Sequence, residues 1–361
     1  MQAAILHGPQ IPLEITEVNI DEPRAGEALV RVIAAGVCHS DLHFIEGTYP
    51  GRYPMVLGHE VAGIVESVGA GVTNVASGDR VIMGFVQPCG HCKVCDQGRP
   101  NLCSNSTRDR TSEQPALLLE GKPVTQMANV GGFARYSVMA SSGLLKIPDS
   151  IGLDVAALVG CSVMTGYGAV VNTAKVEPGS TVAVIGAGGI GLNIIQAARL
   201  AGASQIIAID MVEHKLSTAK EFGATDIVNA IEMDPIEAVK DLSSGGVDFS
   251  FEAIGLKTTS EQAYQMATRG GTAVIVGMVP PTDNIEIPGR IWVEEKTLKG
   301  SFYGSARFHV DMPRILDLYQ QGKLNIDGLV TKRWPFEKIN DAFTSLKNGE
   351  VARSILEIGS E

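Results

Sequence analysis

The chain has no surplus of positive charge. Its 29 Lys and Arg stand against 40 Asp and Glu, a formal net charge of −11 over 361 residues. A nucleic-acid surface needs clustered basic residues to displace counterions, so that class of partner is excluded. The segment after Met1, QAAILHGPQIPLEI, has neither a basic start nor a long apolar run. No secretory signal is predicted, and the expectation is a cytoplasmic protein with reduced thiols. The long uncharged stretch 178–198 is broken by five glycines. It reads as strand, turn and buried helix rather than a membrane span, and no membrane partner is expected. There is no internal repeat and no low-complexity tract. What remains is a globular chain whose length favours two domains.

Cysteine is sparse but placed. Four of the six cysteines, Cys89, Cys92, Cys95 and Cys103, fall in the run CGHCKVCDQGRPNLC. Four thiolates at this spacing saturate a tetrahedral zinc and leave no position for chemistry. His91 inside the run is surplus to such a site. Cys38, in GVCHSDLH, and Cys161, in GCSVMTGYGA, stand apart, with His59 of LGHE between them. Two thiolates and an imidazole neutralise Zn²⁺ and leave a fourth position open. An alcohol held there would lose its proton near neutral pH. The sequence therefore predicts two zinc ions per chain, one structural and one catalytic.

Residues 1–150 carry short Val- and Ile-rich runs (EALVRVIAAGV, HEVAGIVESVG, DRVIMGFV) between Gly, Asp and Pro. They predict a bent, mostly β domain. Residues 104–130 read as a long surface loop. From about residue 165, buried strand-like runs alternate with helical ones, which predicts βαβ units and a parallel sheet. Helices are predicted near 311–321 and 337–347, then a strand at RSILEI that returns to the first domain. The domain expectation is 1–162 with 304–361, and 163–303.

TVAVIGAGGIGLNIIQAARL is strand, glycine turn and helix. Gly186, Gly188 and Gly191 fill the G-x-G-x-x-G positions, with Gly189 and Ile190 opening the helix. Such a turn brings backbone amides and a helix N-terminus to a pyrophosphate. Asp210 closes the next strand, about 20 residues on, where a carboxylate binds the ribose hydroxyls and repels a 2′-phosphate. NAD is therefore favoured over NADP. Lys215 is a further candidate beside the ribose.

The order GVCHSDLH, LGHE, four-cysteine lobe, GCSVMTGYG, GAGGIG and Asp resembles the zinc-containing medium-chain alcohol dehydrogenases over nearly the whole chain. The resemblance implies an α/β fold of two domains. One is a GroES-like, mostly β catalytic domain; the other is a doubly wound Rossmann domain; the active site lies in the cleft between them. It implies Cys38, His59 and Cys161 as catalytic zinc ligands, with Glu60 behind the metal or ligating transiently. Asp41 would orient His59. Ser40 and His43 would relay the alcohol proton to solvent. Thr165, Val276 and Met278 would line the nicotinamide, and Arg353 would reach the pyrophosphate. His39, where many relatives carry Arg, would face the same phosphates.

Tyr49, Leu57, Phe85 and Phe133 fall where the family builds its alcohol pocket, which suits primary alcohols with apolar or aryl tails. Polyol dehydrogenases usually carry a carboxylate in place of Cys161. The glutathione-dependent formaldehyde branch needs an acidic residue and an arginine where this chain has Tyr49 and Thr107, with Arg108 adjacent. That branch is the alternative, alongside a zinc-free quinone or enoyl reductase and a non-catalytic zinc-braced NAD-binding module. The family forms dimers or tetramers. A homodimer is expected here, with segment 279–300 (Pro280, Pro281, Pro288, Trp292) at the contact.

Overall fold

A computed structural model describes residues 1–105, 110 and 115–360. Thr107 and Arg108 lie outside the described residues. The chain divides into two units: 1–161 with 307–313 and 326–361, and 162–306 with 314–325. The sequence boundaries differ mainly at 314–325, which joins the second unit. One polar contact ties the end of this segment to that unit: the Asn325 amide donates at 2.9 Å to Oε1 of Gln196, which lies in the helix Gly189–Leu200.

The first unit is built on two sheets, one six-stranded and one seven-stranded. The central strand Glu27–Val37 is buried along nearly its whole length and pairs with Glu60–Val68, Tyr136–Ala140 and the C-terminal Arg353–Glu357. The register of Glu27–Val37 against Glu60–Val68 slips twice, at Leu29/Val30 and Val32/Ala34. Such bulges bend a sheet sharply. Gly63 permits the tight approach, since a Cβ there would lie 2.2 Å from the Arg31 carbonyl. The segment read as a loop at 104–130 contains a hairpin instead, Leu117–Leu119 against Lys122–Gln126. Glu120 and Gly121 both have positive φ, the two-residue turn that matches strand twist. Pro123 and the shortness of the strands hid it from pattern reading.

Arg110 anchors the edge of this unit. Its Nε and Nη2 donate to both oxygens of Glu27, at 2.8 and 2.7 Å, and Nη1 donates to Asp21 at 2.8 Å. Burial pushes the Glu27 carboxyl up, but the Arg110 hydrogen bonds, the Arg24 amide and the Arg110 charge bring it below its ordinary value. Its folded pKa is depressed, so its stabilisation is present above the unfolded pKa and is lost as pH falls through the folded one. Arg110→Ala should cost about 2–4 kcal/mol at neutral pH, because it strands a buried carboxylate. The penalty should shrink in acid. Urea melts at pH 7 and below pH 4 check this.

The second unit is a six-stranded, all-parallel sheet. Its spatial order is Asp226–Asn229, Gln205–Asp210, Thr181–Ile185, Val247–Glu252, Ala267–Ile275, Thr297–Gly300. That is the doubly wound dinucleotide-binding arrangement, whose order reverses between Thr181–Ile185 and Val247–Glu252. The predicted strands and helices of this region are all present. Sequence reading did not mark the helix Leu153–Ala174, which is long and apolar enough to cross a membrane but is mostly buried inside the protein. Gly160, Gly166 and Gly168 masked it, because glycine is a poor helix former. Gly166 is needed for packing: a Cβ there would lie 2.5 Å from Asn193 Cβ and 2.7 Å from the Ile190 carbonyl, on the first turns of the glycine-loop helix.

Candidate active site and metal centres

The glycine turn is built as the motif requires. Gly186 has φ +96°, a left-handed value that favours glycine. A Cβ on Gly191 would lie 1.7 Å from the Gly186 carbonyl, so only glycine lets helix and turn close. Gly188, the N-cap of Gly189–Leu200, has no atom within 4 Å of a Cβ position. That open cradle at a helix N-terminus fits a pyrophosphate. Ile190 is half-buried beside it. Asp210 Oδ2 accepts the Ala187 amide at 2.8 Å, and Oδ1 accepts those of Met211 and Val212. A carboxylate retains further acceptor capacity for ribose hydroxyls. Lys215 and Met278 are half-buried, while Thr165 and Val276 are nearly closed to solvent.

In the first unit, the ligating atoms of Cys38, His59 and Cys161 all lie within 4.8 Å of one another, and all three residues are buried. Cys38 precedes the helix His39–Glu46, and His59 immediately precedes the strand Glu60–Val68. Cys161 sits in a π-type wide turn, Val159–Val163, a distortion frequent at functional sites. His59 Nδ1 hydrogen-bonds Asp41 Oδ1 at 3.2 Å, and that oxygen also accepts the Gly58 amide at 2.9 Å. Asp41 thus fixes the ring and leaves Nε2 for a metal. Three buried soft and borderline donors around one point fit zinc with an open fourth position.

Charge is concentrated here. The hydrogen bond from Cys161 holds the Cys38 thiol well below its ordinary range; burial opposes this, and Arg353 and His59 reinforce it. The same bond, with burial, drives Cys161 up. Burial pushes Glu60 up to about 7 despite the Arg353 charge. Arg353 Nη2 lies 3.6 Å from Glu60 Oε1, with both side chains almost fully enclosed. The resemblance sends Arg353 to the pyrophosphate; in the structure its guanidinium is buried against Glu60, on a strand that pairs with Glu27–Val37. Gly36 makes room, since a Cβ there would lie 2.2 Å from Glu60 Oε2.

Ser40 Oγ lies 3.7 Å from Cys38 Sγ. His43 is half-buried one turn along the same helix, and His39 is exposed at its start. Phe85 sets its ring edge-on to His59 at 5.5 Å, and Tyr49 lies 5.7 Å from His43. Phe85 therefore stands beside the three-donor centre, and Tyr49 beside His43. Leu57 and Phe133 do not: both have no exposed surface and belong to the core, Phe133 packing edge-on to Phe343. Gly58 is the reason. At φ +92° it lets the 57–58 and 132–133 backbones pair, with the Phe133 amide on the Leu57 carbonyl at 2.9 Å, which commits both side chains inward.

The four-cysteine lobe also closes on one point. Its sulfurs lie within 4.8 Å of one another, with Cys92 3.5 Å from Cys95 and 3.8 Å from Cys103. A tetrahedron of about 2.3 Å Zn–S bonds has edges of about 3.8 Å, so the spacing fits zinc. It is far too long for a disulfide, and all six cysteines are free. His91 turns away, its Nδ1 on the Cys89 carbonyl at 2.7 Å.

Comparison with known proteins identifies the family. Residues 24–149 match the alcohol dehydrogenase GroES-like domain, and residues 189–321 match the zinc-binding dehydrogenase domain. A zinc-binding-domain alcohol dehydrogenase from Burkholderia ambifaria is 33% identical, with 99% of each chain covered and a TM-score of 0.94. Benzyl alcohol dehydrogenase from Acinetobacter calcoaceticus is also 33% identical, with 99% of each chain covered and a TM-score of 0.93. A zinc-binding dehydrogenase from Sinorhizobium meliloti 1021, bound to NADP, is 31% identical over 99% of each chain, with a TM-score of 0.82. The chain belongs to the zinc-containing medium-chain alcohol dehydrogenase family and is an oxidoreductase of that type.

Proposed function

We propose that the protein interconverts primary alcohols with apolar or aryl tails and their aldehydes, using NAD and one catalytic zinc, with a second zinc in the four-cysteine lobe. The buried, three-donor centre of Cys38, His59 and Cys161 carries this reading. Held by Cys38, His59 and Cys161, zinc would supply Lewis acidity toward an alcohol or aldehyde oxygen, and a nicotinamide cofactor held at Gly186, Gly188 and Gly191 would supply the hydride chemistry. Asp41 holds the His59 ring. Ser40 receives the alcohol proton, and His43 passes it on to solvent. Phe85 and Tyr49 offer aromatic surface to the substrate tail, and similarity to a benzyl alcohol dehydrogenase supports an aryl substrate. Asp210 favours NAD, although one relative was solved with NADP.

NADH absorbance with benzyl alcohol, hexanol, terpenoid alcohols, the matching aldehydes, and formaldehyde with glutathione tests the reading. We expect turnover with aryl and medium-chain alcohols, faster with NAD than with NADP. A folded, zinc-loaded protein that binds NADH yet turns over nothing in the panel would overturn it. The quaternary proposal is a homodimer through the sheet edge at Thr297–Gly300, where Trp292 is 78% exposed.

The pH profile follows from His43. Burial lowers its pKa below the ordinary 6.5, more than the Cys38 and Glu46 charges raise it. It is therefore neutral at pH 7 and able to accept the proton. Alcohol oxidation should hold to the acid side of 6.5 and then fall. His43→Gln should slow oxidation at pH 7 about tenfold or more and be rescued by raising the pH. An unchanged profile would remove His43 from the relay.

A further inference from the structure

Glu252 ends the strand Val247–Glu252, in register with Ile185, on the far side of the point where strand order reverses. In open α/β sheets, ligands bind outside the carboxyl ends at that point. Glu252 is completely buried. A buried carboxylate is normally paired with a cation, yet among the described residues no ion pair reaches it. Its partners are instead three of the chain's own donors, all on Oε1: the Ile254 amide at 2.9 Å, the Gly255 amide at 2.7 Å and Thr259 Oγ1 at 2.8 Å. Among the described residues, Oε2 has no hydrogen-bond partner. The Glu252 carbonyl accepts the Val276 and Gly277 amides at 2.9 and 3.1 Å.

One residue therefore ties two segments that leave the sheet side by side. They interlock around it. A Cβ on Gly277 would lie 2.6 Å from Glu252 Oε2 and 2.2 Å from the Gly255 amide nitrogen. Gly255, at φ +96°, leaves room for the Met278 backbone, which a Cβ there would meet at 2.7–2.9 Å. The first segment presents Ile254, 43% exposed, against the glycine turn: a Cβ on Gly186 would lie 2.7 Å from Ile254 Cγ1. The second carries Val276 and Met278, the residues expected at the nicotinamide.

We infer that Glu252 is a positioning residue for the dinucleotide, its carboxylate and carbonyl together fixing the 253–256 and 276–278 segments on either side of the cofactor crevice. The inference rests on reading this unit as a nicotinamide-dinucleotide site. An apolar residue of the same size would fill the space but leave the Ile254 and Gly255 amides without an acceptor, and those amides set where Ile254 stands.

The test is fluorescence titration of NADH against wild type, Glu252→Gln and Thr259→Val, with melting temperature, alcohol KM and kcat at saturating cofactor measured alongside. Glu252→Gln keeps the shape but makes one carboxamide serve amides, hydroxyl and an unpartnered buried position. It should raise the NADH Kd about tenfold, with alcohol KM and saturated kcat within about twofold of wild type. Thr259→Val removes one hydrogen bond from the half-buried rim and should raise Kd a few-fold. A lowered melting temperature with unchanged Kd in both variants would mean a structural role only and overturn the inference. If Glu252→Gln fails to fold, Thr259→Val decides alone. Wild-type protein that binds no NADH would overturn the cofactor reading, and the inference with it.

Discussion

Cys161→Ala will empty the three-residue centre and lower alcohol turnover on the order of 10³-fold or more, while the protein stays folded and still binds NADH. The size follows from the several kcal/mol that a Lewis acid contributes to a hydride-transfer transition state. The selectivity follows from position. Cys161 is one short side chain inside a helix whose other contacts persist, and the bulk of the first unit's core lies elsewhere. Cys92→Ala makes the opposite prediction. Cys92 lies between Cys95 and Cys103 in a lobe with almost no apolar packing: its short helix Lys93–Asp96 has no buried residue. Metal binding there is folding free energy. The loss should appear first as a lower melting temperature and proteolysis near 89–103, with activity falling only as the fold does. Metal analysis should give about two zinc ions per wild-type chain and about one for each variant. A Cys161→Ala protein that keeps both ions and its turnover would refute the assignment.

Gly191→Ala should cripple the second unit, whereas Gly188→Ala should leave it folded. The two glycines are three residues apart in one motif, and a composition-level argument treats them alike. The structure separates them. A methyl on Gly191 would sit 1.7 Å from a backbone carbonyl, which no side-chain rotation relieves. Overpacking against rigid backbone costs about 3 kcal/mol or more and parts the helix from the turn. A methyl on Gly188 meets nothing within 4 Å and its φ is ordinary, so the fold tolerates it. It occupies the open cradle at the helix N-terminus. NADH affinity should therefore fall about tenfold or more while the melting temperature barely moves. Thermal melts and NADH titration on the two variants decide this. Equal melting temperatures would show that the turn relaxes.

Local chemistry made much of this protein legible. Candidate metal donors announce themselves because Cys and His at fixed spacings are rare, and the cysteine lobe closes within 15 residues. The glycine turn announces itself because its conformation admits few residues. The helix Leu153–Ala174 was illegible because its glycines, chosen for close contact, look like breaks. Leu57 and Phe133 were illegible as core because their direction depends on the left-handed Gly58 and on a backbone pairing some 75 residues away in sequence.

The sequence by itself determined the four-cysteine cluster, the dinucleotide turn and the alternation that makes a parallel sheet, since each is written in residue type and short-range spacing. Tertiary structure alone decided that Cys38, His59 and Cys161 converge, that Arg353 turns inward to Glu60, and that a buried Glu252 joins two segments beside the glycine turn. Those outcomes depend on which distant strands pair and in what register. Period-2 and period-3.6 patterns say which face of an element is buried, but not which partner buries it.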